Sequence, residues 1–307
     1  MPLNWRLASR RKALETRAAV IQAIREFFCA RDYLEIETPH RIPAPAPESH
    51  IDAIPSDGWF LHTSPELCMK RLLAARYPRI FQICRCWRQG ERGTMHAPEF
   101  TLLEWYQAGS DYHGLMEDCE ALTQSVVHRL GRGDRWVYQE QEIDMRSPWP
   151  RMTVQEAFTR HSAVSMAEAL AGGRFDEIMV QDIEPQLPAN RPCFLYDYPA
   201  ERASLARLRS DDPSVAERVE LYIGGLELAN GFSELTDAEE QRARFVREEA
   251  RRRSLGKLPY PLPDRFLAEL PDIPPSAGIA LGVDRLVMLL VDAATIDEVI
   301  AFSPEDL

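Results

Sequence analysis

The segment at residues 219–234, VELYIGGLELANGFSE, constrains the fold most. Two β-prone runs flank Gly224-Gly225, and a two-residue glycine turn between such runs closes an antiparallel hairpin. With that turn, Ile223 pairs with Leu226 and Tyr222 with Glu227. Glu220 then sits one diagonal step from Glu227 on the same face. Two carboxylates roughly 7–8 Å apart at Cα can reach one hard cation, and Mg²⁺ commonly takes such carboxylates together with substrate phosphates. Simple parity sends Asn230 to the other face unless Gly231 marks a bulge. The same residues also describe a solvated acidic hairpin.

A second hairpin spans residues 80–106. Its outgoing strand ends in Arg88, its loop holds Gly90, Gly93, His96 and Pro98, and its return strand places Phe100, Leu102, Glu104 and Tyr106 on one face by the two-residue period. An arginine can clamp a phosphate through two parallel hydrogen bonds, a phenyl ring can stack on a base, and a carboxylate can hold an ammonium group. A solvent-facing hairpin with scattered polar residues is the alternative. Further along, GIALGVDRL (residues 278–286) runs from an apolar strand through glycine into a helix. Arg285 falls in that helix's first turn, where a cation opposes the dipole and calls for an anion such as phosphate, or for a neighbouring acid.

The surrounding pattern places helices outside these strands. Leu14, Ala18, Ile21, Ile24 and Phe28 give a helical apolar face over 10–31, and Leu34, Ile36 and Thr38 alternate as a half-buried strand before Pro39. Further helices are predicted at 65–75, 112–130, 236–253 and 283–290, and a further strand at 194–198. Residues 39–55, with Pro43, Pro45 and Pro47, read as an ordered-to-mobile loop. The expected class is α+β, an antiparallel sheet flanked by helices in one domain, with an inserted subregion at 131–190.

Composition narrows the function. A formal charge of −12 and a pI near 5.2 repel a nucleic-acid backbone unless a local basic patch intervenes. The one basic concentration, Arg242, Arg244, Arg247 and Arg251 to Arg253, is interleaved with glutamates. Its Glu248–Arg252 and Glu249–Arg253 spacings predict a solvated helix, with a partner-docking face as the alternative. The longest apolar run, residues 286–291, is far short of the ~20 residues of a membrane span, and MPLNWR lacks the apolar core of a signal peptide. A soluble, cytoplasmic protein is expected. Six scattered cysteines without paired C-x-x-C units suit reduced thiols. Cys84 and Cys86 alternate on one strand with no second pair at metal spacing, so no zinc site is expected.

Four collinear blocks go further: TSPELCMKRL (63–72), HAPEFTLLEWY (96–106), ELANGFSELTDAEEQ (227–241) and ALGVDRLVML (280–289). Together they resemble the signature motifs of class II aminoacyl-tRNA synthetases, most closely the catalytic domain of lysyl-tRNA synthetase, over nearly the whole chain. The resemblance implies a class II aminoacyl-tRNA synthetase catalytic domain over 1–307. The first helix begins near residue 10, which leaves no room for that enzyme's anticodon-binding OB-fold. A core without that module resembles the elongation factor P lysine ligase family, which uses ATP to activate (R)-β-lysine and attaches it to a lysine side chain of elongation factor P.

Carried over by position, the resemblance gives Arg88 the substrate carboxylate and α-phosphate, His96 the outer phosphates, Phe100 the adenine, and Arg285 the γ-phosphate side. Glu220 and Glu227 become the Mg²⁺ pair. Glu66 receives the amino group near the substrate carboxylate. Glu104, Tyr106 and Glu234 form the distal ammonium pocket, lined by Asn230 and Phe232. Two departures stand out: Arg88-Gln89-Gly90-Glu91 replaces arginine-any-glutamate, so Glu91 takes over the glutamate's contact or the contact is lost, and Ala97 stands where asparagine is usual. Ala280 occupies a position that is glycine in α-lysine enzymes and alanine in β-lysine paralogues. The resemblance also implies a homodimer paired through residues 13–39, with tRNA disfavoured as a substrate. The alternatives are a stand-alone lysine-activating enzyme that charges tRNA or free acceptors, and a non-catalytic paralogue that binds a partner. An aspartyl- or asparaginyl-type pocket would need cations where Glu104 and Glu234 offer anions.

Overall fold

Strand parity sorts the side chains into a helix-covered core and an open face. The computed structural model describes residues 5–307; residues 1–4, most of the stretch read above for a signal peptide, lie outside them. Eight strands form one sheet: β1 (Leu34–Glu35), β2 (Arg79–Trp87), β3 (Glu99–Ala108), β4 (Arg151–Thr153), β5 (Cys193–Pro199), β6 (Val215–Ile223), β7 (Leu226–Ser233) and β8 (Ser276–Gly282). Their order is β1-β2-β3-β8-β7-β6-β5-β4. The pairings are antiparallel except at the two edges, where β1 runs parallel to β2 and β4 to β5. The fold is α+β, as the two hairpins require.

The main helices are α1 (Arg11–Cys29), α2 (Glu66–Ala74), α3 (Tyr112–Arg129), α4 (Ala238–Ser254) and α5 (Val283–Val291). Leu103 and Trp105 of β3, Ile279 and Leu281 of β8, and Val219 and Leu221 of β6 share a core with α1, α3 and α5. Phe28 of α1 stacks on Phe81 at 4.8 Å between ring centroids and lies 5.3 Å from Trp105. Burying each such side chain contributes about 1.5–3 kcal/mol. The alternate residues of the same strands face away from these helices. Beyond the central strands, residues 131–190 extend the sheet: β4 adds an edge strand, and short helices bury Phe158, Phe175 and Ile183 against Leu195, Tyr198 and Tyr222.

Three readings of the sequence need correction. First, the predicted 34–38 strand is only Leu34–Glu35, because it has a single partner, although Ile36 N still donates to Phe81 O at 2.9 Å. Second, the hairpin bulge lies at Leu228, not Gly231. Tyr222 pairs with Glu227 but Leu221 pairs with Ala229, whereas Gly231 sits in regular register between Val219 and Ile279. Third, α4 is not a purely solvated helix. Arg252 is fully buried and donates to Glu48 O at 2.7 Å, Ile51 O at 2.8 Å and Asp52 Oδ1 at 2.9 Å, while Glu248 accepts from Ser49 N at 3.0 Å. Of the two expected helix pairs, only Arg253–Glu249 forms, at 3.0 Å. The buried guanidinium fastens the proline-rich 39–55 loop along the open face. No helix among the described residues is long and apolar enough to cross a membrane.

Candidate active site

Pairing across β2, β3, β8, β7 and β6 aligns side chains in rows on the open face. One row reads Gln82, Glu104, Ala280, Asn230, Glu220; the next reads Ile80, Tyr106, Gly278, Phe232, Arg218. The Leu228 bulge puts Asn230 in this row, on the same face as Glu227. Gly278 is required here, since a Cβ would lie 2.1 Å from the Tyr106 ring and 2.6 Å from Glu234 Oε1. The rows floor one cleft lined by Glu66, Arg88, His96, Phe100, Glu104, Tyr106, Glu227, Asn230, Phe232, Ala280 and Arg285, with Glu91 and Ala97 beside them. Of the remaining predicted residues, Glu220 continues the floor, and Glu234 is buried below it, in contact with Lys70.

One end of the cleft is cationic. Asp284 is buried and accepts from Arg17 and from Thr101 N at 2.7 Å, which anchors the start of α5. Arg285, next in sequence, donates to Glu227 O at 2.6 Å and lies 2.8 Å from His96 Nε2. A guanidinium only donates, so Nε2 accepts and the imidazole is neutral. Burial and then Arg285 lower the pKa of His96, in keeping with that state. Arg88 lies over the Phe100 ring at 4.9 Å and 3.9 Å from Glu91, and its Nε is buried without a partner. An orphaned guanidinium nitrogen beside an aromatic plate suits an anion carried by a planar base.

Glu220 faces the same end. Its Oε2 accepts from Tyr198 at 2.6 Å and Tyr222 at 2.7 Å, and its Oε1 from Arg218 at 2.6 Å. That leaves Oε1 with unused acceptor capacity. The Glu227 carboxylate has no hydrogen-bond donor among the described residues and approaches only Arg285, at 3.8 Å. Desolvation in the cleft, and then the charge of Glu220, push Glu227 upward. Two hard oxygen donors in this state fit Mg²⁺, which prefers carboxylates and phosphate oxygens.

The other end is anionic and closed. Glu104 is buried, with Ser64 Oγ donating at 2.6 Å and Tyr106 OH at 2.9 Å. Burial, then the charge of Glu66, raise Glu104 to about 8. Lys70, one turn after Glu66 on α2, puts its Nζ 2.5 Å from both Glu66 Oε1 and Glu234 Oε2. Burial alone would lower this lysine, but Glu234 and Glu66 outweigh it and keep the ammonium charged. Neither Glu234 oxygen has an aligned hydrogen-bond donor, and burial raises that carboxyl to about 8 despite Lys70.

Residues 2–306 match the family of class II tRNA synthetases (D, K and N). The chain belongs to that family. Among relatives of this class II synthetase domain, a protein of Pectobacterium carotovorum subsp. carotovorum is 40% identical over 320 residues, 98% of each chain. One of Vibrio cholerae serotype O1 is 38% identical over 316 residues, 97% of each chain, and one of Proteus mirabilis is 38% identical with the same coverage. All three are named elongation factor P–(R)-β-lysine ligase.

Sequence reasoning missed Ser64, Lys70 and Arg218. Ser64 and Lys70 lie inside the TSPELCMKRL block, and the four-residue step from Glu66 to Lys70 on a helix was the available signal. Arg218 precedes Glu220 by two residues, so strand parity alone puts both on one face.

Proposed function

We propose that this chain is an ATP-dependent ligase that activates (R)-β-lysine as its adenylate and transfers it to a lysine side chain of translation elongation factor P. The observation that carries the reading is the charge at the closed end of the cleft. Glu66, Glu104 and Glu234 bring three carboxylates and Lys70 one ammonium, which leaves two negative charges when all are ionised. A diamino acid supplies two ammonium groups. The names of the relatives point to the same substrate, and Ala280 lies in the floor between Glu104 and Asn230, where a methyl reshapes the amino-acid pocket.

In the reaction, the substrate carboxylate attacks the α-phosphorus of ATP and pyrophosphate leaves. Arg88 holds the carboxylate and α-phosphate together, Phe100 carries the adenine, and Arg285 with His96 faces the outer phosphates. Catalysis is positioning plus charge stabilisation, with no covalent enzyme nucleophile. Glu220 and Glu227 would hold Mg²⁺, which when bound neutralises phosphate charge. The neutral ε-amine of the acceptor then attacks the adenylate carbonyl, an amide C–N bond forms, and AMP leaves. We take the acceptor to be protein rather than tRNA, and the enzyme to be a cytoplasmic homodimer paired through residues 13–39. ATP/pyrophosphate exchange with (R)-β-lysine, α-lysine, aspartate and asparagine in parallel, followed by transfer of the labelled product to elongation factor P or tRNA, tests the reading. Exchange favouring aspartate, or label passing to tRNA alone, would overturn it.

A further inference from the structure

Amide formation at the adenylate leaves one proton to be placed. When the acceptor ε-amine attacks, its nitrogen becomes positively charged and must lose a proton, and a positioned base with a pKa near the working pH receives such a proton best. Most titratable groups in the cleft are committed elsewhere. Glu66 pairs with Lys70 at 2.5 Å, Glu104 accepts from Ser64 and Tyr106, Asp284 accepts from Thr101 N at 2.7 Å, and Glu91 faces Arg88 at 3.9 Å. His96 spends Nε2 on Arg285, and Glu227 stands beside the same arginine at the phosphate end. Glu48 lines the same cleft and is not committed in this way.

We propose that Glu48 is the general base of the transfer step, an inference that rests on the ligase reading and names the residue that receives the acceptor's proton. Helices cover one face of the sheet, so an acceptor lysine reaches the cleft from the open face, along which the 39–55 loop lies. The backbone around Glu48 is pinned on both sides. Arg252 donates to Glu48 O at 2.7 Å and Ile51 O at 2.8 Å, Ser49 N donates to Glu248 at 3.0 Å, and Glu48 N donates to Ala46 O at 2.9 Å. The half-buried side chain is left to the cleft, and its carboxylate has no hydrogen-bond donor and no ion pair among the described residues. The charges that bear on it are Arg88 of β2 and Glu66 of α2 most strongly, then Arg218 of β6 and Glu248 of α4. Arg88 and Glu66 are the groups assigned to the reacting carboxylate and its neighbouring amino group, so Glu48 stands within electrostatic reach of both sides of the carbonyl that is attacked. Burial raises Glu48 to about 7, with Arg88 limiting the rise. A carboxylate there takes a proton and returns it to water at neutral pH. The C–N bond forms, the C–O bond to AMP breaks, Glu48 takes the nitrogen's proton, and that proton passes to solvent once AMP has left.

The test splits the two half-reactions in Glu48→Gln. Single-turnover transfer from the enzyme-bound adenylate to elongation factor P should fall about 10²–10⁴-fold, the range of general-base catalysis. ATP/pyrophosphate exchange with (R)-β-lysine, which ends at the adenylate, should lose far less, about threefold at most. Hydroxylamine, neutral at pH 7 and reactive without a base, should capture the adenylate equally fast from parent and variant. The ratio of parent to variant transfer rates cancels the acceptor's own ionisation, and it should climb as pH passes about 7 and then level. Glu48→Asp, which keeps a carboxylate, should recover part of the transfer, and Glu48→Ala repeats the comparison if glutamine unfolds the chain. Transfer within threefold of the parent, a ratio that ignores pH, or exchange lost as far as transfer in a folded variant, which would make Glu48 a holder of substrate ammonium, would each overturn the base. Failure of the parent itself to exchange (R)-β-lysine would overturn the ligase reading, and the base with it.

Discussion

Glu234→Gln separates recognition of the diamino acid from the stability of the fold. The carboxylate is almost fully buried, and its one close cation is Lys70 at 2.5 Å. Its pKa stands at about 8 against an ordinary 4.5. At pH 7 the folded chain therefore holds a proton there that the unfolded chain has released. A folded pKa raised in this way favours folding at low pH and opposes it as pH climbs past the unfolded value. From 4.5 to 7, at about 1.4 kcal/mol per tenfold, the cost is about 3 kcal/mol, with the help of Lys70 already counted. Glutamine keeps the shape and removes that cost, so the melting temperature should hold or rise at pH 7. Substrate binding should suffer instead, because an ammonium group loses its buried counter-charge. A charge-assisted contact of about 1.5–3 kcal/mol corresponds to roughly 10–150-fold in affinity. In ATP/pyrophosphate exchange, KM for (R)-β-lysine should rise by that factor while KM for ATP stays within about threefold. Equal rises in both constants, or a fall of several degrees in melting temperature, would refute the assignment of Glu234 to the distal ammonium.

Arg88→Ala should lower kcat for adenylate formation at least about 10–100-fold, since a bidentate contact made mainly in the transition state is lost; exchange within twofold of the parent in a folded variant would remove Arg88 from the mechanism. Glu104 and Glu234, both near 8, must ionise to receive ammonium groups. Diamino-acid binding at pH 7 should therefore release about one to two protons and weaken as pH falls from 8 to 6, as calorimetry in buffers of different ionisation enthalpy would measure. Lys70→Met should destabilise the chain by about 3–5 kcal/mol in thermal unfolding, because it strands the Glu66 carboxylate without the buried cation it pairs with at 2.5 Å. Ala280→Gly should shift preference from (R)-β-lysine toward α-lysine by about 10–200-fold, the range a single carbon commands in a pocket; an unchanged ratio in the exchange assay would detach Ala280 from specificity.

The sheet and its rows were legible because strand parity is rigid: once Gly224-Gly225 and the 80–106 hairpin are fixed, Phe100, Glu104 and Tyr106 must share a face. Parity fails only where a residue is inserted, and Leu228, an ordinary apolar residue, gives no sign that it is the extra one. The charge balance of the pocket was less legible. Glu66, Glu104 and Glu234 come from α2, β3 and the end of β7, and their ionisation depends on burial, which no local pattern encodes. Lys70 looks in sequence like one more basic residue beside Arg71. In the fold Lys70 is buried and Arg71 pairs at the surface with Glu269 at 2.7 Å. The two cations differ by one step around a helix, which turns one into the fixed counter-ion of the pocket. On the proposed reading Lys70 belongs to specificity: with all three carboxylates ionised around a bound substrate, its absence would leave three negative charges against two ammonium groups, one of them buried and unpaired.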